Sequence, residues 1–196
     1  MTAQPTFRPA TLADASALAI LIDIAGEGIP AFLWSTWKAP EQSILEFGRE
    51  RARREEGGFS YRNTIVTEIA GEVAATLVGY RLDDPYDLPD LDELPDIVRP
   101  LISLEPQVPG TWYVNVLAAF PEFHGQGMGT KLLEAAETKG REGNAPAMSV
   151  IVASWNDGAA RLHARAGYAD VAREAAVLPP GFPHQGDWIL LAKPLR

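Results

Sequence analysis

The chain contains no cysteine. That excludes disulfides, thiolate metal sites and a cysteine acyl-enzyme. Histidine is scarce, three in 196 residues, and no metal-ligating set is read from it. Basic side chains are outnumbered, 17 Lys and Arg against 26 Asp and Glu, which leaves a net charge of −9 and a pI near 4.8. Such a balance has no general attraction for nucleic acid. The one basic cluster, Arg49, Arg51, Arg53 and Arg54, is interleaved with Glu46, Glu50, Glu55 and Glu56. It reads as a solvated helix face with i,i+4 pairs such as Glu50–Arg54. No apolar run approaches the roughly 20 residues of a membrane span. Met1 to Pro5 lack the charged start and apolar core of a signal peptide. Nucleic acid and membrane are not expected partners, and the expected location is the cytoplasm. No internal repeat is visible.

Apolar residues make up 46% of the chain, enough for one sizeable core, so residues 1–196 are expected to form a single domain. A short first strand is read around Phe7. Thr11 to Asp14 has the form of a capping box with Asp in the usual Glu place, followed by a helical stripe of Leu18, Leu21, Ile22 and Ala25. Ile29 to Trp37 is aromatic-rich, and Pro40 reads as the start of a further helix ending at Gly57-Gly58. Residues 63–70 and 73–82 read as strands of a hairpin turning at Ala70-Gly71-Glu72. Residues 148–154 read as a buried strand and residues 188–192 as a closing one. The order β-α-α-β-β-β-α-β-α-β-β implies an α/β fold with helices on both faces of one sheet.

The segment Trp112 to Leu133 carries the strongest chemical signal. A run of β-formers is broken at Pro121, followed by Gly125, Gly127 and Gly129, and then by a helix-forming stretch with Leu132, Leu133 and Ala136 on one face. A strand thus feeds a glycine-rich turn that opens a helix. Glycines let a ligand approach the backbone, and the helix start adds unpaired N–H groups and partial positive charge, so the turn suits a phosphate or diphosphate. A Walker loop does not fit. The dinucleotide fingerprint needs a third glycine where Thr130 stands, and no acidic residue follows at the ribose-binding distance.

His124-Gly125-Gln126-Gly127-Met128-Gly129 resembles the acyl-CoA signature Q/R-x-x-G-x-G/A of the GNAT superfamily of N-acetyltransferases, with His124 in the first position and the usual proline at Pro121. Asn156 to Tyr168 is similar to that family's second signature, N-x-x-A-x-x-L-Y-x-x-x-G-F, with Asn156, Ala160, Leu162, Gly167 and Tyr168 at or near the expected places and His163 in the tyrosine position. Asn156 and His163 are about two helical turns apart and share a face. The resemblance implies a single mixed, mostly antiparallel sheet flanked by helices on both faces. It implies acetyl-CoA as acyl donor. The backbone of Leu117, Ala118 and Ala119 would meet the pantetheine arm. His124, Gly125, Gln126, Gly127, Met128, Gly129 and Thr130 would cradle the diphosphate, with Asn156 and His163 as further cofactor contacts. The family's tyrosine protonates the leaving thiolate, so His163 becomes the candidate acid, although it could equally only hydrogen-bond the cofactor or a backbone carbonyl. Asn156 could be a cofactor contact, a helix N-cap or both. Asn115 and Tyr113 are alternative candidates for positioning a water that deprotonates the amine, since no carboxylate lies on the strand.

A second feature stands outside that pattern. Residues 83–110 form a proline-rich insertion in which Asp83, Asp84, Asp87, Asp90, Asp92, Glu93 and Asp96 run without an intervening Lys or Arg. Loops longer than about 12–15 residues are usually functional or disordered. This one reads either as an acidic lid favouring a cationic amine or as a solvated insertion. The expected activity is acetyl transfer to a primary amine of a small molecule by direct attack in a ternary complex, with Phe32, Trp34 and Trp37 as candidate pocket walls or ordinary core. A peptide or protein amine as acceptor, or a non-catalytic acyl-CoA-binding module, are the alternatives. Many members of such a family pair as homodimers.

Overall fold

The computed structural model describes residues 4–195. Its seven strands lie in one sheet of order β1-β2-β3-β4-β5-β7-β6, accompanied by six α-helices among the described residues. This is the mixed, mostly antiparallel α/β sheet expected of the GNAT-like fold. The chain divides into two compact units, residues 1–79 with 115–133, and residues 80–114 with 134–196.

In the first unit β1 (Thr6–Pro9) pairs antiparallel with β2 (Thr64–Ile69), which pairs with β3 (Glu72–Arg81). The hairpin turn is as expected: Ala70 and Gly71 both have positive φ, 54° and 87°, the geometry that a two-residue turn between twisted strands requires. Between β1 and β2 lie three helices, α1 (Ala15–Ala25), α2 (Ile29–Trp37) and α3 (Ile44–Ala52), where the sequence suggested two. The aromatic stretch is itself the extra helix. Pro30 sits in its first turn, where a missing N–H costs nothing. The expected start at Pro40 is four residues too early: Ser43 caps α3, accepting the Glu46 N–H at 3.1 Å while the Glu46 carboxylate takes the Ser43 N–H at 2.8 Å. The helix stops at Ala52, well short of Gly57, so Arg54 lies beyond it and no ion pair joins Glu50 to Arg54 among the described residues. Arg51 instead stands 5.7 Å from the Trp37 ring centre.

Leu18, Ala19, Ile22, Trp34, Val66, Val78 and Val116 form the apolar centre of this unit. Gly48 on α3 allows it: a Cβ there would stand 2.4 Å from the Trp34 ring. The Thr11 to Asp14 box is present in modified form. Asp14 accepts from the Thr11 N–H (2.7 Å) and hydroxyl (3.0 Å), and also takes both Arg8 guanidinium nitrogens, at 2.8 and 2.9 Å. The Arg8 hydrogen bonds hold the Asp14 carboxyl below the usual carboxylate range despite its burial.

In the second unit the first residues of β4 (Trp112–Ala119) pair parallel with β5 (Ala147–Ala153), in register from Trp112↔Met148 to Val114↔Val150. β7 (Asp187–Pro194) runs antiparallel to β5 on one side and to β6 (Ala169–Ala175) on the other. The long helix α5 (Met128–Glu142) lies close against β5, because a Cβ at Gly140 would meet the Met148 sulfur at 2.8 Å. The insertion is ordered rather than structureless. It carries a further helix, α4 (Arg99–Leu104), and Arg99 turns back to pair with Asp96 (3.1 Å) and to donate to the Leu94 and Asp92 carbonyls. One basic residue therefore offsets part of the acidic run.

Candidate acetyl-CoA site

The glycine turn belongs to the first unit. Asn115, Leu117, Ala118 and Ala119 lie half-buried on β4, and the chain leaves the strand at Phe120, whose N–H bonds the Ala74 carbonyl at 2.9 Å. A short 3₁₀ turn over Pro121–Phe123 follows. His124 Nε2 then donates to the Ala119 carbonyl at 3.0 Å, so its ring ties the turn back to the strand. Gly125 and Gly127 have φ of +75° and +77°, and at both the Cβ direction is open, with no heavy atom within 4 Å. Only glycine adopts this backbone without strain. Gly129 differs from them: it lies inside α5, so the turn proper uses two glycines, not three.

Lys131 N–H closes onto the Gly127 carbonyl at 3.3 Å, while the first N–H groups of a helix have no intrahelical acceptor. Gln126, Gly127, Gly129 and Thr130 are exposed or half-exposed, and Met128 is buried and pins the helix start. An open turn at the positive end of a fifteen-residue helix, where the first N–H groups have no intrahelical acceptor, fits a diphosphate. Each such charge contact contributes about 0.3–1 kcal/mol, so several must act together.

The second motif belongs to the second unit. Asn156 caps α6 (Asp157–Arg165), its side chain accepting the Ala159 N–H at 2.9 Å. His163, on the same helix, is 2% exposed. Its Nδ1 lies 2.9 Å from the Ala159 carbonyl, and a carbonyl can only accept, so Nδ1 carries the proton. Nε2 is then a bare acceptor, buried and without a hydrogen-bond partner among the described residues. The ring meets Tyr168 edge-on at 5.2 Å. Burial lowers the His163 pKa from its ordinary value. A neutral ring in this tautomer can take a proton at Nε2 but cannot give one there, so an acid role requires the imidazolium that burial disfavours.

Trp34, one of the three aromatics considered for the acceptor pocket, is core at 3% exposure, whereas Phe32 and Trp37 remain exposed. Two groups of side chains in the second unit had no signal in the sequence. Trp155, Phe182, His184 and Trp188 form a ring cluster in which Trp155 stacks on His184 at 5.8 Å. Glu105, in the insertion, is buried and accepts a hydrogen bond from the Tyr86 hydroxyl. Tyr80 and Tyr113 pack edge to face at 5.8 Å, and the Glu105 charge raises the pKa of both beyond what burial does. Pairings of this kind arise from folding distant segments together, and no local pattern announces them.

The sequence pattern of the Acetyltransferase (GNAT) family matches residues 29–168, which include the turn and both signature segments. The chain belongs to that family. It is an N-acetyltransferase, and its acetyl donor is acetyl-CoA. Solved structures share its fold. A polyamine N-acetyltransferase from Drosophila melanogaster matches with 18% identity and a TM-score of 0.69 over 98% of this chain and 100% of that one. A crystal structure of an acetyltransferase matches with 24% identity and a TM-score of 0.65 over 97% and 100%. The yncA protein of Salmonella typhimurium, solved with its cofactor acetyl-CoA, matches with 18% identity and a TM-score of 0.58 over 98% and 95%. No curated protein sequence matches this chain. No single helix among the described residues is long and apolar enough to cross a membrane.

Proposed function

We propose that this acetyltransferase acts on a primary amine of a small molecule, by direct attack in a ternary complex. The observation that carries the reading is the open Gly125–Gly127 turn at the start of α5, where two left-handed glycines with no side chain in the way leave the helix N-terminus open to a diphosphate. Backbone groups of Gln126, Gly127, Met128, Gly129 and Thr130 would hold the diphosphate, and those of Leu117, Ala118 and Ala119 the pantetheine arm. Bound acetyl-CoA supplies the activated acyl carbon. The His124 side chain braces the turn, and its backbone continues the cradle.

The absence of cysteine leaves no thiol to carry the acyl group, which favours direct attack by the amine. Asn115 is assigned the positioning of a water that takes the amine proton. His163 is assigned proton handling at Nε2, with Ala159 fixing the ring. Asn156 is assigned to the cofactor as well as to the helix cap. The same proposal takes residues 1–196 as one catalytic domain, sets it in the cytoplasm and allows a homodimer, which sedimentation would test.

Calorimetric titration with acetyl-CoA and with desulfo-CoA is the direct test, followed by an amine screen that detects released thiol without cysteine background. Micromolar binding of both ligands and thiol release with a small amine are the expected results. Absence of binding at millimolar cofactor would overturn the reading of the turn.

A further inference from the structure

Helix α1 is apolar on the side turned away from the core as well as on the side turned toward it. Its inner face is Ala15, Leu18, Ala19 and Ile22, each at most 1% exposed. On the opposite side, successive helical steps bring Ala13, Ala17, Ile20 and Ile24 into one stripe, with Ala13 in the turn that opens the helix. Ile20 and Ile24 are 40% and 38% exposed. A helix that is apolar all round is ordinarily covered on every side. The stripe carries no charge, and no Lys or Arg occurs from Leu12 to Trp37. The aspartates beside it are engaged elsewhere, Asp14 by Arg8 and Asp23 by the Ala31 N–H at 2.8 Å.

We propose that this stripe is the face through which two copies of the chain pair. Charge selects a second copy as the occupant. With a net charge of −9, most pairings of this protein's surfaces set carboxylate against carboxylate, whereas an uncharged stripe meets itself without that repulsion. Shape selects the same occupant. When two such helices pack antiparallel about a two-fold axis, Ala13 faces Ile24 of the second copy and Ala17 faces its Ile20. Both pairs share one midpoint along the helix, so a single axis sets a large side chain over a small one at all four contacts. A parallel pairing would instead oppose isoleucine to isoleucine and leave the alanines apart. The inference specifies the homodimer allowed above and does not depend on acetyl transfer. A monomer that releases thiol removes this reading alone, and an inactive dimer removes only the other.

Sedimentation equilibrium of the full-length protein should show a dimer at about 100 µM, in keeping with the micromolar affinity of a small interface. Ile20→Glu buries a carboxylate against apolar side chains and should raise the dissociation constant at least about tenfold. Val171→Glu, at a comparably exposed apolar residue on β6, should leave it unchanged. Circular-dichroism melts check that each variant is folded. The register is read by cross-linking, free of background because the chain has no cysteine. Oxidising a mixture of Ala17→Cys and Ile20→Cys proteins should give the mixed disulfide in preference to either homodimer. A monomer at about 100 µM overturns the proposal. So does a dimer indifferent to Ile20→Glu, or one whose cysteine variants cross-link only like with like. Binding of a monomer to phosphatidylcholine vesicles would give the stripe to a lipid surface and overturn it equally.

Discussion

The turn at Gly125–Gly127 and the carboxylate at Glu105 solve opposite problems. The turn presents backbone N–H groups, and its specificity lies in two dihedral angles that only glycine adopts without strain. Side chains matter there chiefly as braces, His124 on Ala119 and Met128 into the interior. At Glu105 the backbone is incidental, and everything depends on which side chains folding brings around one charge. A turn defined by main-chain angles is one that substitution cannot easily alter, whereas a cluster of side chains can change singly.

The contrast is most sharply broken at the turn. Gly127→Val forces a branched side chain into φ of +77°, a strain on the order of 1–3 kcal/mol. Calorimetry should show acetyl-CoA affinity reduced about 10-fold to 100-fold, with the melting temperature changed far less than the affinity. Wild-type affinity in this variant would mean that the backbone does not carry the donor. Next in size is His163→Ala, which should lower turnover at least about tenfold with acetyl-CoA affinity near wild type. Equal turnover would remove His163 from the reaction.

The pH profile sharpens this assignment. If His163 donates a proton, kcat must fall as pH rises through its pKa, which burial places below the usual 6.5 or so. A kcat that is instead flat or rising from pH 6 to 8 matches the bare Nε2 acting as an acceptor. The same shift affects stability. Because the folded pKa is depressed, the contribution is full above the unfolded value of about 6.5 and is lost as pH falls through the folded pKa, so thermal melts should decline on acidification below about pH 6.5 and less so in His163→Asn.

Asn156→Ala removes an N-cap and should cost about 1 kcal/mol in denaturant unfolding. A larger loss of acetyl-CoA affinity than of stability would establish its second role. The smallest effect is expected on the other side of the comparison. On the acidic-lid reading, neutralising Asp90, Asp92 and Glu93 together raises KM for a cationic acceptor by a few-fold, and an unchanged KM would leave these acids as solvated surface.

Regions of local chemistry are legible in the sequence itself. The hairpin at Ala70-Gly71, the turn at Gly125–Gly127 and the N-cap at Asn156 all express themselves within a few neighbouring residues. Helix α2 was hidden because three large aromatics do not mark a face by periodicity, and α3 was misplaced because Pro40 outweighed the Ser43–Glu46 capping pair. The tautomer of His163 depends on Ala159 four residues earlier, a bond that sequence permits but does not demand. Glu105 lay furthest out of reach. It was one acid in an acidic stretch, and only burial separates it from Asp92 or Glu93.

The order of the sheet leaves β1 and β6 as its outermost strands. On β1, Pro9 has no N–H to offer an incoming strand. β6 carries Asp170, Arg173 and Glu174, and its register slips between Asp170 and Ala172. Charge, proline and irregular register are how natural sheets refuse extra strands. Crowded solutions of this protein should therefore resist edge-to-edge aggregation, and a second copy would have to meet it by packing side chains against a surface rather than by extending the sheet.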